Sequence, residues 1–188
     1  MIDLLGAKNF LITGRPGIGK TTAVLRVSEA LKRLGVKVGG MMSREERERG
    51  VRVGFILEDL ITGERGYLAR VGAGLGPRVG KYTVLIDDLE RVGVGAIERA
   101  LREADVIIID EIGPMELYSG KFVDATARAL NSPKPVVATI HVKAKRYPAA
   151  RDILSRSDVK VYYLTLENRR RVPLEIVSAL KSLLALNY

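Results

Sequence analysis

The sequence predicts an α/β fold: a mostly parallel central sheet with helices on both faces and an inserted antiparallel β-meander. Three observations carry this. A short apolar run, Asn9 to Thr13, leads into a glycine-rich turn and then into helical periodicity from Thr22 to Leu34, which is the order of a strand-loop-helix unit. Further on, Val106-Ile107-Ile108-Ile109 places four β-branched apolar residues in succession, as suits a strand buried on both faces of a parallel sheet. Between them, residues 36–71 alternate extended segments with glycine turns, the signature of a meander.

The 188 residues suit one domain over 1–188, with the meander at about 36–71 as an insertion. Lys and Arg number 31 against 22 Asp and Glu, a formal charge of +9, so the partners are anions: nucleotide phosphates or nucleic acid. Aromatic residues make up only 5%, which offers few stacking platforms and disfavours nucleic acid. The absence of cysteine excludes disulfides and thiolate-bound metal. No secretory signal or membrane-length apolar run precedes the first strand, so a cytoplasmic protein without a membrane partner is expected; the pattern sets no oligomeric state.

The first motif is Gly14-Arg15-Pro16-Gly17-Ile18-Gly19-Lys20-Thr21, which fits G-x-x-x-x-G-K-[ST] between its strand and its helix. Glycines let the backbone curl so that N–H groups point inward, and the helix start adds partial positive charge, making a concave phosphate site. Lys20 would reach the β and γ phosphates of a nucleotide. The Thr21 hydroxyl would ligate Mg²⁺, and Thr22 is a candidate for the α-phosphate.

In chain order, the first helix takes its apolar side from Ala23, Leu25, Val27, Ala30, Leu31 and Leu34, and Gly35 closes it. Val36 to Met42 and Val51 to Leu60 read as strands. The mixed-charge run Ser43 to Gly50 between them reads as a solvated hairpin tip. Gly66 to Val71 resumes the extended pattern, and Arg65 or Arg70 could reach the nucleotide if the meander folds over the phosphate site. Leu75 to Lys81 is a glycine-rich loop. Val84 to Asp88 looks extended, and Val94 to Ala104 is helical.

The second motif is Asp110-Glu111, at the end where ligands of open α/β sheets bind. Asp110 would hold the Mg²⁺ shell, as a Walker-B aspartate does, and Glu111 would orient or deprotonate a water attacking the γ-phosphate. The segment continues Ile112-Gly113-Pro114-Met115-Glu116. Taken with the phosphate loop, Val53-Gly54-Phe55, Gly63-Glu64-Arg65-Gly66, Gly80-Lys81-Tyr82 and Glu167-Asn168-Arg169, it resembles the thermophilic-type nucleoside-triphosphatase family, relatives of the cancer-related nucleoside-triphosphatase. The likeness spans nearly the whole chain. It implies a three-layer RecA-like P-loop fold and Mg²⁺-dependent hydrolysis of ATP, GTP and other nucleoside triphosphates to the diphosphate and phosphate. It also implies nucleotide segments on Gly14 to Thr21 and on Val106, Ile107, Ile108, Ile109, Asp110, Glu111, Ile112 and Gly113, with Glu111 as base.

Leu117 to Leu130 reads as an amphipathic helix and Pro135 to Ile140 as a buried strand, whose end offers Thr139 as a γ-phosphate sensor and His141 as a further hydrogen-bonding group or an ordinary half-buried histidine. Lys143, Lys145 or Arg146 could neutralise transition-state charge; a solvated basic loop is the plainer reading. Val159 to Leu166 is the last strand and Pro173 to Leu186 a closing helix. The loop between them offers Asn168 to a base edge and Arg169 to the base face. Two alternatives stay open: a nucleotide or small-molecule kinase, which needs an acceptor site, and a nucleic-acid-stimulated ATPase.

Overall fold

Among the described residues, 6–185 of a computed structural model, nine strands hydrogen-bond into one continuous sheet. The strands are β1 (Asn9–Thr13), β2 (Val38–Glu48), β3 (Val51–Asp59), β4 (Arg65–Val71), β5 (Arg78–Val79), β6 (Tyr82–Val84), β7 (Val106–Ile112), β8 (Val136–Ile140) and β9 (Val159–Tyr163). The helices are α1 (Lys20–Arg33), α2 (Ile86–Asp88), α3 (Gly95–Glu103), α4 (Gly120–Asn131), α5 (Pro148–Leu154) and α6 (Val172–Ala185). A π-helical stretch, Leu89–Val94, joins α2 to α3.

The strand order is β5-β6-β4-β3-β2-β7-β8-β1-β9. From β2 to β9 neighbours run parallel, and from β2 to β5 antiparallel. Strand β2 serves both halves. Val38 to Met41 pair with β7, and Met41 to Glu48 pair with β3. The meander therefore extends the sheet in plane, and its antiparallel part runs to Val84, past the expected limit near residue 71.

Alternation along β7 builds two apolar layers. Ile107 and Ile109 face a cluster with Ile97, Phe122 and Leu130, whereas Val106 and Ile108 face one with Val24, Val27, Leu31, Ile176 and Leu180. Both sheet faces are covered by helices, which is why this strand carries no polar residue before Asp110. Gly40 lets β2 approach β7: it adopts φ +112°, and a Cβ there would lie 2.0 Å from the Ile108 carbonyl oxygen.

Several sequence expectations shift. The charged run from Ser43 is strand rather than hairpin tip, because β2 continues to Glu48 and only Arg49-Gly50 turn, both with positive φ. In α1 the buried face is Ala23, Val24, Val27, Ser28 and Leu31; Leu25 projects away from it and Leu34 lies past the helix end, so both are exposed. The extended piece expected to reach Asp88 stops at Val84, and α5 was not anticipated. The lead-in at residues 1–5 and the last residue of the expected closing helix, Leu186, lie outside the described residues. No helix among the described residues is long and apolar enough to cross a membrane.

Candidate active site

The loop 14–19 bridges β1 and α1, and Gly19 at φ +107° caps the helix, a left-handed conformation that side chains resist. The first turn of α1 then presents Lys20, Thr21 and Thr22. The Lys20 ammonium folds back onto its own loop, donating to the carbonyls of Gly14 at 3.0 Å and Arg15 at 3.5 Å. Arg15 and Pro16 are exposed on the outer side of the loop, and Ile18 is buried beneath it.

Strand β7 delivers the two carboxylates. Opposite β8, the three steps from Ile109 to Ile112 face the two from Ala138 to Ile140, so β7 carries one extra residue here. Asp110 is 1% exposed; its Oδ1 accepts the Thr139 hydroxyl at 2.6 Å and the Thr21 hydroxyl at 3.3 Å, and its Oδ2 has no partner. Burial pushes its carboxyl upward, while the hydrogen bonds from Thr139 and Thr21 pull against that. Glu111 faces the cavity in front of the loop. Burial raises its carboxyl to about 7, with the Lys20 charge opposing and Asp110 reinforcing.

That cavity measures about 560 Å³. Its floor is Gly17, Gly19, Lys20, Thr21 and Thr22; Asp110, Glu111 and His141 flank it, and Ser43, Arg44 and Glu45 of β2 form the rim. A second recess of about 230 Å³ lies on the other side of the α1 start, between Ile18, Gly19, Thr22, Ala23, Arg26, Arg169 and Arg170. Gly19 and Thr22 border both, so the helix start joins the two spaces.

This chain matches the profile of the NTPase family over residues 9–177. It belongs to the NTPase family. It is 58% identical over 181 residues to the nucleoside-triphosphatase THEP1 of Thermofilum pendens, covering 96% of this chain and all of that one. The THEP1 protein of Methanopyrus kandleri is 48% identical, with 86% and 88% covered. Among solved structures, THEP1 from Aquifex aeolicus superposes with a TM-score of 0.78 at 35% identity, over 90% of this chain and 97% of that one. A human cancer-related nucleoside triphosphatase superposes at 0.79 and 39% identity, over 94% and 98%. The resemblance read from the motifs and the α/β P-loop fold are thus both established.

Within this NTPase, the expected site residues divide. The loop, Lys20, Thr21, Thr22, Asp110 and Glu111 converge. Val106, Ile107, Ile108 and Ile109, which the resemblance placed in the nucleotide segment, are fully buried between the apolar layers and border neither cavity; they carry Asp110 to its position. Ile112 is equally buried. Gly113 acts through its lack of a side chain: a Cβ would sit 2.7 Å from Glu111 Oε1 and 3.1 Å from Glu116 Oε2. Thr139 is fully buried and donates to Asp110, so it positions the carboxylate instead of meeting a phosphate. Asn168 is committed to its own loop, accepting from the Thr165 N–H at 2.7 Å and donating to the Tyr163 carbonyl at 2.9 Å, which takes its amide away from a base edge.

Of the arginines offered, Arg65 pairs with Glu58 and Arg70 with Glu46 and Glu48, and neither reaches the cavity. Lys143, Lys145 and Arg146 do not border it either. The arginine that does is Arg44, which sequence reading assigned to a hairpin tip. Its partner Glu58, at 3.5 Å, is already bonded through the other oxygen to Arg65 at 2.8 Å. Glu116 was also missed; it is 3% exposed, and burial, then the Glu111 charge, hold its carboxyl well above the usual range. Only its place in the Gly113-Pro114-Met115-Glu116 run hinted at a role. His141 accepts the Lys143 N–H through Nδ1 at 3.1 Å, and burial with Lys20, Lys143 and Arg146 lowers its pKa, leaving a neutral ring with Nε2–H as donor.

Proposed function

We propose that this NTPase hydrolyses nucleoside triphosphates, ATP and GTP included, to the diphosphate and phosphate with Mg²⁺. The observation that carries this is the hydrogen bond from Thr21 to Asp110, which brings a phosphate loop and an acidic strand end together beside Glu111. The donor set fits magnesium, a hard cation bound by oxygen. Thr21 offers a hydroxyl, and Asp110 a buried carboxylate with an unpartnered oxygen. Among the described residues no cluster of three His, Cys, Asp or Glu forms a protein cage, which suits a cation whose shell is completed by phosphate oxygens and water. Bound there, Mg²⁺ would neutralise charge on the β and γ phosphates.

The remaining work falls to side chains. The loop N–H groups and Lys20 hold the phosphates. Glu111, with a carboxyl near 7, takes the proton of the attacking water at neutral pH. Besides Lys20, the cation that borders the cavity is Arg44, and it supplies positive charge to the transferring phosphoryl group from within the same chain. The neutral His141 donates to a phosphate oxygen. On the far side of the helix start, Arg169 and Arg26 line the recess that takes the nucleoside, where Arg169 stacks on the base.

A steady-state panel of nucleoside triphosphates, with and without Mg²⁺ and with and without RNA or DNA, tests the reading. Mg²⁺-dependent phosphate release from several triphosphates is expected, unchanged by nucleic acid. Release only with RNA or DNA would favour the nucleic-acid-stimulated ATPase instead.

A further inference from the structure

Hydrolysis needs space beyond the γ-phosphate for a single water, about 30 Å³ of liquid volume. The cavity in front of the phosphate loop, about 560 Å³, extends past the loop and the Asp110-Glu111 pair to residues of the meander. Its apolar lining comes from Phe55 of β3, Leu68 of β4, Val79 of β5, and Pro114 and Met115 after β7. Such a lining offers nothing to water or to phosphate oxygens. Apolar surfaces with a few convergent polar groups are how proteins bind small organic molecules.

The Phe55 ring is held in a fixed attitude, with the Arg52 guanidinium 5.3 Å from its centre and the Tyr82 ring edge-on at 5.2 Å. Ser43 at the rim provides a hydroxyl for a polar edge, while the Glu45 carboxylate beside it is held by Arg47 and Arg52. Glu111 borders the same space from the phosphate side.

Resting on the reading that the loop binds a nucleoside triphosphate, we propose that the meander-walled half of this cavity binds a small alcohol built on a flat ring, of nucleoside size, and that the enzyme transfers the γ-phosphoryl group to it in competition with water. The acceptor hydroxyl oxygen forms a bond to Pγ as the bond from Pγ to the β,γ-bridging oxygen breaks. The bridging electron pair leaves with the nucleoside diphosphate, and the hydroxyl proton passes to the Glu111 carboxylate. Products are a phosphomonoester and the diphosphate, with no further reactant.

The test incubates the full chain with γ-labelled ATP, Mg²⁺ and, separately, adenosine, thymidine or cytidine, and separates the labelled products. The expected result is a labelled phosphomonoester with at least one of the three, in excess of the share set by its molar ratio to water. Val79→Trp, which narrows the cavity from an edge strand, is expected to lower the ratio of ester to free phosphate about tenfold. Met115→Phe serves the same purpose from the other wall if Val79→Trp does not fold. Free phosphate with no ester from any of the three overturns the acceptor site and leaves the hydrolase intact, whereas neither product would overturn the nucleotide reading itself. An ester ratio untouched by either variant would show that transfer occurs elsewhere and likewise overturn this assignment.

Discussion

Thr139 donates its hydroxyl to Asp110 across 2.6 Å inside the sheet, on the same carboxylate oxygen that Thr21 reaches from the phosphate loop. One buried oxygen thus ties together three segments, and the other is buried without a hydrogen-bond partner. Thr139→Val keeps the shape and removes the donor. A hydrogen bond to a charged group is worth about 1.5–3 kcal/mol, and losing a group that orients a metal ligand costs roughly 10–100-fold in metal affinity. The Mg²⁺ concentration for half-maximal hydrolysis should rise by that factor, and Thr139→Ser should restore it.

Lys20 and Glu111 should separate binding from chemistry. Lys20→Ala is expected to abolish measurable binding of a fluorescent nucleotide analogue. Glu111→Gln should keep that binding and lower kcat by about 10²–10⁴, the range for a general base. Wild-type phosphate release from Glu111→Gln would remove it from the reaction.

Arg44 should act on the transition state. Arg44→Ala is expected to lower kcat by about 10³ with little change in KM, as for an arginine finger, while Arg65→Ala leaves kcat nearly unchanged. A raised KM at constant kcat would instead place Arg44 in ground-state binding.

The raised carboxyl of Glu111 has two pH signatures. Since the base must be ionised, kcat/KM, which follows the free enzyme, should climb with pH through about 7 and then level off, a limb that Glu111→Gln lacks. For stability the sign is opposite. A carboxyl raised from 4.5 to about 7 in the fold binds more protons folded than unfolded, so its contribution is full below 4.5 and is lost as pH rises through 7. Between those limits the melting temperature of the nucleotide-free protein should fall less steeply for Glu111→Gln than for the wild type, as scanning calorimetry would record.

Gly40 offers a test of the sheet itself. With φ +112° and the Ile108 carbonyl 2.0 Å from any Cβ, Gly40→Ala must part β2 from β7. The expected loss exceeds about 3 kcal/mol, readable as a lowered denaturation midpoint.

Much of the site could be read along the chain because its chemistry is written in short runs. Gly14 to Thr21 and Asp110-Glu111 each depend on neighbours within a few positions, and the apolar run from Val106 to Ile109 announces a doubly covered strand wherever it occurs. Local pattern misled where a residue's role depends on what faces it. Arg44 sits in a run of mixed charge that looks solvated, and Asn168 in a loop that looks free. Thr139 appears to face a ligand until Asp110 is found beside it.

The sequence alone determined the two motifs and the α/β class, which spacing and the period of apolar residues set, and pointed to the family through its resemblance to known members. Only the tertiary structure decided which arginine enters the cavity, which carboxyls burial raises, and which apolar side chains line the same space. Those depend on the crossing of β2 from the parallel into the antiparallel half, which carries Ser43, Arg44 and Glu45 over the loop. Charge and burial act through distance in space, and residues 44 and 111 become neighbours of one cavity only when the sheet closes the gap between them.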